Sequence, residues 1–242
     1  ASPVRAFGPR SNDDIYMVFT GGTTGMPKGV MWRHEDAFFA VAGGGGMGGA
    51  PIESPEQIAS KAAIEVQLRG LATTPVMHGG AQWGCLFALF GGHVAGLWTG
   101  KHYDADAVLD LVAAERINTV QIIGDAMGRP LADAMAKGGR DLSNLYVVGN
   151  GGAPLTASVK AELLAAKPGI MINDSYGASE TGAGGNSTGT DGGPARFAMS
   201  PQLTVLDDDL RPVEPGSGIV GKLARSGHIP LGYYKDEKKT AE

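Results

Sequence analysis

Ile15-Tyr16-Met17-Val18-Phe19-Thr20-Gly21-Gly22-Thr23-Thr24-Gly25-Met26-Pro27-Lys28-Gly29-Val30-Met31-Trp32 is the stretch on which the reading of this chain turns. Ile15–Phe19 and Gly29–Trp32 are short apolar runs rich in β-formers, so the pattern predicts two buried strands joined by a Gly/Thr loop. Glycines let backbone N–H groups turn toward an anion, threonine hydroxyls add neutral donors, and Lys28 adds a full positive charge. That combination suits a polyphosphate. A plain hairpin turn needs only about two to five residues and has no use for three threonines and a lysine in this order. The loop is not a Walker sequence, because Lys28 is followed by Gly29 and the flanks are two strands.

Composition bounds the alternatives. A chain of 242 residues with 43% hydrophobic and 19% charged residues can bury a core and is no disordered tail. Its 39 glycines are more than twice the usual share of about 7%, yet follow no three-residue period, so glycine-rich loops are expected and collagen is excluded. Gly43–Gly49 predicts a mobile surface loop. Net charge is −5, and Lys235, Lys238 and Lys239 are interleaved with Asp236 and Glu237, which argues against a nucleic-acid partner. The single cysteine, Cys85, forms neither an internal disulfide nor a thiolate metal site and suits a reducing, cytoplasmic setting. Ala81–Trp98 is apolar over the length of a minimal membrane span, but Gly91, Gly92 and His93 break it into a helix and a strand. No membrane span is expected. The start, Ala1-Ser2-Pro3-Val4-Arg5, has neither an initiator Met nor an apolar signal core, so no export is expected and the chain is expected to begin mid-protein.

Beyond the hairpin, Ser54 with Pro55 and Gln57 marks a capped helix start. Helices over 81–90, 106–115, 126–136 and 156–166 then alternate with strands over 94–98, 119–123, 145–148 and 170–173. Val108, Leu109 and Val112 share one helix face. Such alternation predicts an α/β fold whose mostly parallel sheet is covered by helices. After Pro201 the signals change to strands at Leu203–Leu206 and Ile219–Ala224 around an Asp207-Asp208-Asp209 turn. The expected organisation is a phosphate-loop hairpin with a glycine-rich loop over 1–50, an α/β nucleotide- and acyl-binding part over 51–200, and a β-rich part over 201–242.

The loop closely resembles the Thr-Ser-Gly-Thr-Thr-Gly-x-Pro-Lys-Gly signature of the acyl-adenylate-forming (AMP-binding) superfamily. Four further segments fall in that family's order: Pro75-Val76-Met77-His78, Gly151-Gly152-Ala153-Pro154, Tyr176-Gly177-Ala178-Ser179-Glu180-Thr181, and Gly221-Lys222-Leu223 leading to Gly232-Tyr233-Tyr234. The resemblance covers most of the chain from Asp14 onward, and the Met31-Trp32-Arg33-His34-Glu35-Asp36 and Pro75-Val76-Met77-His78-Gly79-Gly80 segments look most like those of fatty-acid-type acyl-CoA synthetases. Gly177-Ala178-Ser179-Glu180-Thr181 lacks the last glycine of a hydrolase elbow, and no glycine loop both follows the first strand and opens a helix as a dinucleotide fingerprint requires.

What the resemblance implies is an ATP-dependent ligase that activates a carboxylic acid as acyl-AMP, releases pyrophosphate and passes the acyl group to CoA, with ATP, Mg²⁺ and CoA as cofactors. Thr20, Gly21, Gly22, Thr23, Thr24 and Gly25 would cradle the phosphates, with Lys28 supplying charge. Gly151, Gly152, Ala153 and Pro154 would lie along adenine, Tyr176 and Gly177 would border it with Tyr176 stacking, and Asp174 would accept from its exocyclic amine. Ser179 would touch the α-phosphate, Glu180 would hold the metal, and His78 would lie at the acyl site. Helix 81–90 with Trp83, together with Ile123, Gly124 and Asp125, is a candidate border of the acyl pocket or ordinary core. Gly21 stands where the family usually has Ser. Against the family's length, the sequence is expected to be a fragment lacking N- and C-terminal portions of the same enzyme, inactive alone. The competing readings are a non-catalytic nucleotide-binding module or an inactive piece, and an acyl-AMP ligase that delivers to a carrier protein.

Overall fold

The computed structural model describes residues 8–21, 26–44, 50–63, 67–188 and 196–241. The hairpin forms as its sequence predicts. β1 (Ile15–Thr20) runs antiparallel to β2 (Lys28–Arg33), with Ile15 opposite Arg33 and Thr20 opposite Lys28 at the mouth of the loop. Gly22, Thr23, Thr24 and Gly25 lie outside the described residues, as do residues 45–49 of the predicted glycine-rich loop. Alternation gives the hairpin one apolar face: Val18, Val30 and Trp32 are buried against Ala37, Ala40 and Val41 of α1 (His34–Val41). Helix α1 was not anticipated. Its apolar residues fall at helical spacing, and Glu35 and Asp36 in its first turn suit the positive end of the helix dipole.

α2 (Pro55–Ala62) begins where the cap signal predicts, with Ser54 extended at the N-cap and Pro55 at the first position. The capping bonds differ from expectation. The Ser54 side chain makes no cap bond, and the Gln57 side chain accepts from the backbone N–H of Glu53 at 2.8 Å. There follow β3 (Arg69–Ala72), α3 (Gly79–Phe90), β4 (Val94–Leu97), α4 (Ala105–Ala114), β5 (Thr119–Ile122), α5 (Gly124–Ala136), β6 (Val147–Asn150), α6 (Ala157–Ala166), β7 (Met171–Ala178), β8 (Gly182–Ser187) and β9 (Ala198–Met199). Among the described residues β3 to β9 form one seven-stranded sheet in the order β4-β3-β5-β6-β7-β8-β9. The four contacts from β4 to β7 are parallel, and β8 and β9 add antiparallel. The mostly parallel α/β fold is therefore present, with an antiparallel margin.

Val108, Leu109 and Val112 of α4 are fully buried beside Val120 and Ile122 of β5, Leu131 of α5, Val148 of β6 and Val159 and Leu163 of α6. Each such side chain contributes about 1.5–3 kcal/mol over its exposed state. This core makes the carboxyl ends of the parallel strands a firm base.

Two boundaries and one additional strand correct the sequence reading. β6 starts at Val147 rather than Leu145. The Leu145 side chain is buried, but its N–H closes a turn onto the Leu142 carbonyl at 3.0 Å, so apolarity there marks burial and not pairing. β7 runs on to Ala178, well past Asn173, because its second half pairs with β8. β8 reads Gly-Ala-Gly-Gly-Asn-Ser and has no strand-forming side chains. A Cβ on Gly184 would sit 2.4 Å from Tyr176 Cε2, so a residue without a side chain is needed where that ring lies.

β10 (Leu203–Leu206) and β11 (Lys222–Arg225) pair antiparallel as a separate ribbon. β11 begins three residues later than the apolar Ile219-Val220 pair suggests, and both of those side chains are exposed. β12 (Gly232–Tyr233) then returns to β2, Tyr233 opposite Val30, and α7 (Glu237–Ala241) follows. The C-terminal segment thus completes the sheet that carries the N-terminal loop.

Candidate nucleotide site

Lys28 and Glu180 meet through a third side chain. Register places Lys28 at the mouth of the loop and Tyr233 beside it on the neighbouring strand. The Lys28 Nζ lies 5.3 Å from the centroid of the Tyr233 ring, and the Tyr233 hydroxyl donates to Glu180 Oε1 at 2.8 Å. Burial, and then the bond to Glu180, push the Tyr233 phenol up to about 12, so it remains a donor across the neutral range. Lys28 also pairs with Asp236 Oδ2 at 3.3 Å. The backbone N–H of Lys239, and next Lys28 itself, hold the Asp236 carboxyl below its ordinary value against some opposing burial.

The turn that carries Glu180 is held from two more directions. Trp32 is fully buried in the hairpin and donates its Nε1–H to the Ser179 carbonyl at 3.0 Å. Arg225, the last residue of β11, donates from Nη1 to the carbonyls of Thr181 at 2.7 Å and Ala183 at 2.9 Å.

A second cluster sits at the carboxyl ends of β5, β6 and β7, where parallel sheets place their binding crevices. Asn150, buried at the end of β6, organises it. Its Oδ1 accepts from the Gly124 N–H at 2.7 Å, and its Nδ2 donates to the Ala153 carbonyl at 3.0 Å and to Asp174 Oδ1 at 2.9 Å. One amide therefore sets the start of α5, the Gly151–Pro154 loop and the middle of β7. Gly151 approaches β7 so closely that a Cβ would lie 2.8 Å from Ser175 Oγ, and Gly152 has φ of +81°.

The other predicted positions are distributed as follows. Asp174 is buried; Asn150 and an ion pair with Lys160 already occupy its two oxygens. Tyr176 rests one ring face on Gly184 and meets Phe197 edge-on, with centroids 4.8 Å apart. Burial raises its phenol pKa. Thr20 is half-buried, Gly21 and Gly177 are exposed, and Ser179 is half-buried. His78 stands exposed at the N-cap of α3, with its backbone N–H on the Pro75 carbonyl at 3.0 Å. The candidate acyl border has structural commitments of its own. Trp83 donates to the Tyr16 hydroxyl at 3.1 Å, and Asp125 accepts from both the N–H and the hydroxyl of Thr156 at 2.8 Å.

Sequence reasoning missed Asn150, Trp32, Arg225 and Asp236, and it quoted Tyr233 without giving it a role. Only Tyr233 carried a signal, as the middle residue of Gly232-Tyr233-Tyr234. The rest act through contacts between residues distant along the chain.

A mostly parallel sheet with helices between its strands, and with the Gly151–Pro154 loop at its carboxyl edge, defines an α/β protein whose crevice lies at the strand ends. The chain belongs to the AMP-binding enzyme family, which it matches over residues 3–234. Among curated relatives it is 43% identical over 252 residues to a medium/long-chain-fatty-acid–CoA/3-oxocholest-4-en-26-oate–CoA ligase of Mycolicibacterium smegmatis, covering 100% of this chain and 45% of that protein. A 3-oxocholest-4-en-26-oate–CoA ligase of Rhodococcus rhodochrous is 43% identical over 251 residues, covering 99% and 45%. The chain thus spans about 45% of the length of these relatives. Among solved structures, CmiS6 superposes with a TM-score of 0.72 at 25% identity, covering 99% of this chain and 55% of that one. ATP-bound MatB from Rhodopseudomonas palustris gives 0.70 at 21% identity, covering 100% and 45%, and shares the fold. Among the described residues no helix is long and apolar enough to cross a membrane.

Proposed function

We propose that this chain is the nucleotide-binding part of an ATP-dependent acyl-CoA synthetase for apolar carboxylic acids, medium- or long-chain fatty acids and steroid side-chain acids being the first candidates. The observation that carries this reading is the Lys28–Tyr233–Glu180 link, which sets the phosphate loop's cation beside the acidic turn. The names of the 43% identical relatives support the substrate class.

In the proposed reaction a carboxylate oxygen attacks the α-phosphorus of ATP, the bond to the bridging oxygen breaks and pyrophosphate leaves. The CoA sulfur then attacks the acyl carbonyl, loses its proton and displaces AMP. Lys28, the Thr20 hydroxyl and the loop from Gly21 onward hold the leaving phosphates. The Lys28 charge and the Thr20 hydroxyl dipole offset the charge that grows on the transferring oxygens. Gly151, Gly152, Ala153 and Pro154 offer backbone and small surface to the adenine, Tyr176 an aromatic face, and the Gly177–Ser179 segment lies along the α-phosphate. Asp174, held as Asn150 and Lys160 hold it, accepts from the exocyclic amine with a remaining lone pair. His78 stands at the acyl entrance.

The residues fit a magnesium ion shared with the nucleotide. Glu180 offers a half-buried carboxylate, Tyr233 engages one of its oxygens, and the described residues hold no cluster of three acidic, His or Cys side chains that would bind a metal alone. Mg²⁺ usually takes one or two carboxylates and completes its shell with phosphates and water. When bound, it supplies charge neutralisation to the phosphates. The single thiol of Cys85 suits a cytoplasmic setting.

The test is ATP–pyrophosphate exchange by the full-length protein with acetate, octanoate, palmitate and a steroid side-chain acid, followed by thioester formation with free CoA. Exchange with the longer or steroid acids, and a CoA thioester, are expected. No exchange with any acid overturns the reading.

A further inference from the structure

The turn bearing Ser179, Glu180 and Thr181 has little of its own to hold it. It leads into β8, whose glycines restrict the backbone least, and the β7–β8 register slips between Tyr176 and Gly177. Within the turn one backbone bond, from the Thr181 N–H to the Ala178 carbonyl at 3.1 Å, closes the chain. The remaining restraints come from outside: Trp32 on the Ser179 carbonyl, Tyr233 on the Glu180 carboxylate, and Arg225 on the carbonyls of Thr181 and Ala183.

Arg225 is the unusual member. Its guanidinium is half-buried, shows no carboxylate partner among the described residues, and leaves a buried Nε without a hydrogen bond. A cation taken out of water without a counter-charge costs free energy, and two neutral carbonyls are a poor return unless their position matters. Its base is fixed: Arg225 pairs with Leu203 in the ribbon, and the next residue's N–H bonds the Gln202 carbonyl at 2.9 Å. The distal end of Arg225 therefore reaches from an anchored strand onto the two carbonyls that bracket Gly182.

We propose that Arg225 is a positioning residue for the adenylation reaction, fixing the Thr181–Ala183 backbone so that the Glu180 carboxylate stays where Tyr233 and a shared metal can use it. This rests on the acyl-adenylate reading above and deepens it. Through Arg225 the C-terminal ribbon, and not the central sheet alone, governs metal affinity.

Arg225→Met and Arg225→Lys in the full-length protein test this by two readouts. Amide hydrogen exchange is followed over peptides spanning 177–187, with β5 and β6 peptides as controls. In Arg225→Met the 177–187 amides are expected to exchange about tenfold faster while the controls stay at the wild-type rate. Arg225→Lys, which keeps one cationic donor, falls between. In ATP–pyrophosphate exchange the Mg²⁺ concentration for half-saturation rises about tenfold in Arg225→Met and less in Arg225→Lys, with KM for the acid unmoved. Wild-type exchange over 177–187, or uniform acceleration in every peptide, overturns the positioning role. A loosened turn with wild-type Mg²⁺ dependence overturns its link to the reaction. Should the wild type exchange pyrophosphate with no acid, the adenylation reading fails by itself, and the hydrogen-exchange arm still decides whether Arg225 holds the turn.

Discussion

Tyr233 donates its hydroxyl to Glu180 Oε1 across 2.8 Å, although the two residues are 53 positions apart, and the same ring lies beneath the Lys28 ammonium. One phenol thus touches both charged groups on which the proposed chemistry depends. Because Tyr233 sits on β12 and β12 pairs with β2, backbone hydrogen bonding sets its place relative to Lys28 independently of the side-chain contacts. The acidic turn is then drawn to the hairpin by Tyr233 and by Trp32 together.

Replacing Tyr233 with Phe keeps the ring and removes that donor. A hydrogen bond to a charged group contributes about 1.5–3 kcal/mol when well buried, and this half-buried one belongs at the low end. The half-saturating Mg²⁺ in pyrophosphate exchange is expected to rise several-fold. The variant also changes the alkaline response. The folded phenol is pushed up to about 12 from an ordinary value near 10, so the folded state keeps a proton that the unfolded state releases. The stabilisation is complete below about pH 10 and fades as pH climbs toward 12. Urea midpoints at pH 9 and pH 11 should fall further for the wild type than for Tyr233→Phe; equal drops would contradict the assignment.

Lys28→Ala separates stability from catalysis. Lys28 and Asp236 are each about one-third exposed, so their pair contributes at most about 1 kcal/mol and the melting temperature should drop by less than about 4 °C. Loss of the loop's cation, by contrast, should slow pyrophosphate exchange about 10²–10³-fold. Exchange at the wild-type rate would remove Lys28 from the site.

Asp36 anchors the segment between β11 and β12 through His228. Burial opposes its charge, but hydrogen bonds from Arg33 at 2.7 Å and His228 at 2.7 Å outweigh it and hold the carboxyl below its ordinary value. Its contribution is therefore present above about pH 4 and is lost as pH falls through the folded value. Asp36→Asn should cost about 2 kcal/mol at pH 7, since both partners are part-exposed and can regain water. The gap from wild type should narrow on acid titration below pH 4, as circular dichroism melts would record. A constant gap would mean that the carboxylate charge does not matter.

Two glycine substitutions have opposite expected signs. A Cβ on Gly177 would lie 2.4 Å from the Gly182 carbonyl oxygen, a backbone atom that moves only with the β7–β8 turn. Gly177→Ala should lose about 1–3 kcal/mol and most pyrophosphate-exchange activity. Gly84, exposed within α3, would meet nothing within 4 Å, so Gly84→Ala should gain about 0.5–1 kcal/mol. Thermal melts of the two variants should move in opposite directions.

The elements legible in the sequence are those whose side chains carry their own period. Val108, Leu109 and Val112 mark α4, the apolar run from Thr119 marks β5, and the β1–β2 hairpin is announced by two apolar runs around a polar loop. β8 was invisible because its pairing depends on the absence of side chains where the Tyr176 ring must lie. Leu145 misled for a related reason: burial and ladder pairing share an apolar signature, and only backbone hydrogen bonds distinguish them. Within the candidate site, the motif residues could be named in advance. Asn150 and Arg225 could not, since a buried amide or guanidinium bonding carbonyls leaves no trace in composition or spacing.

Local chemistry is thus what the sequence by itself determined: a glycine- and threonine-lined loop ending in Lys28, an acidic Tyr176–Thr181 segment, and alternating strands and helices whose apolar faces require a covered, mostly parallel sheet. Tertiary structure alone decided that these pieces share one place. That outcome rests on β12 returning to β2, on Tyr233 reaching Glu180, and on Trp32 reaching Ser179 from 147 positions away. The reason is physical. Periodicity records which face of an element is buried, whereas a single hydrogen bond between distant segments depends on how whole elements pack, which no local window of sequence contains.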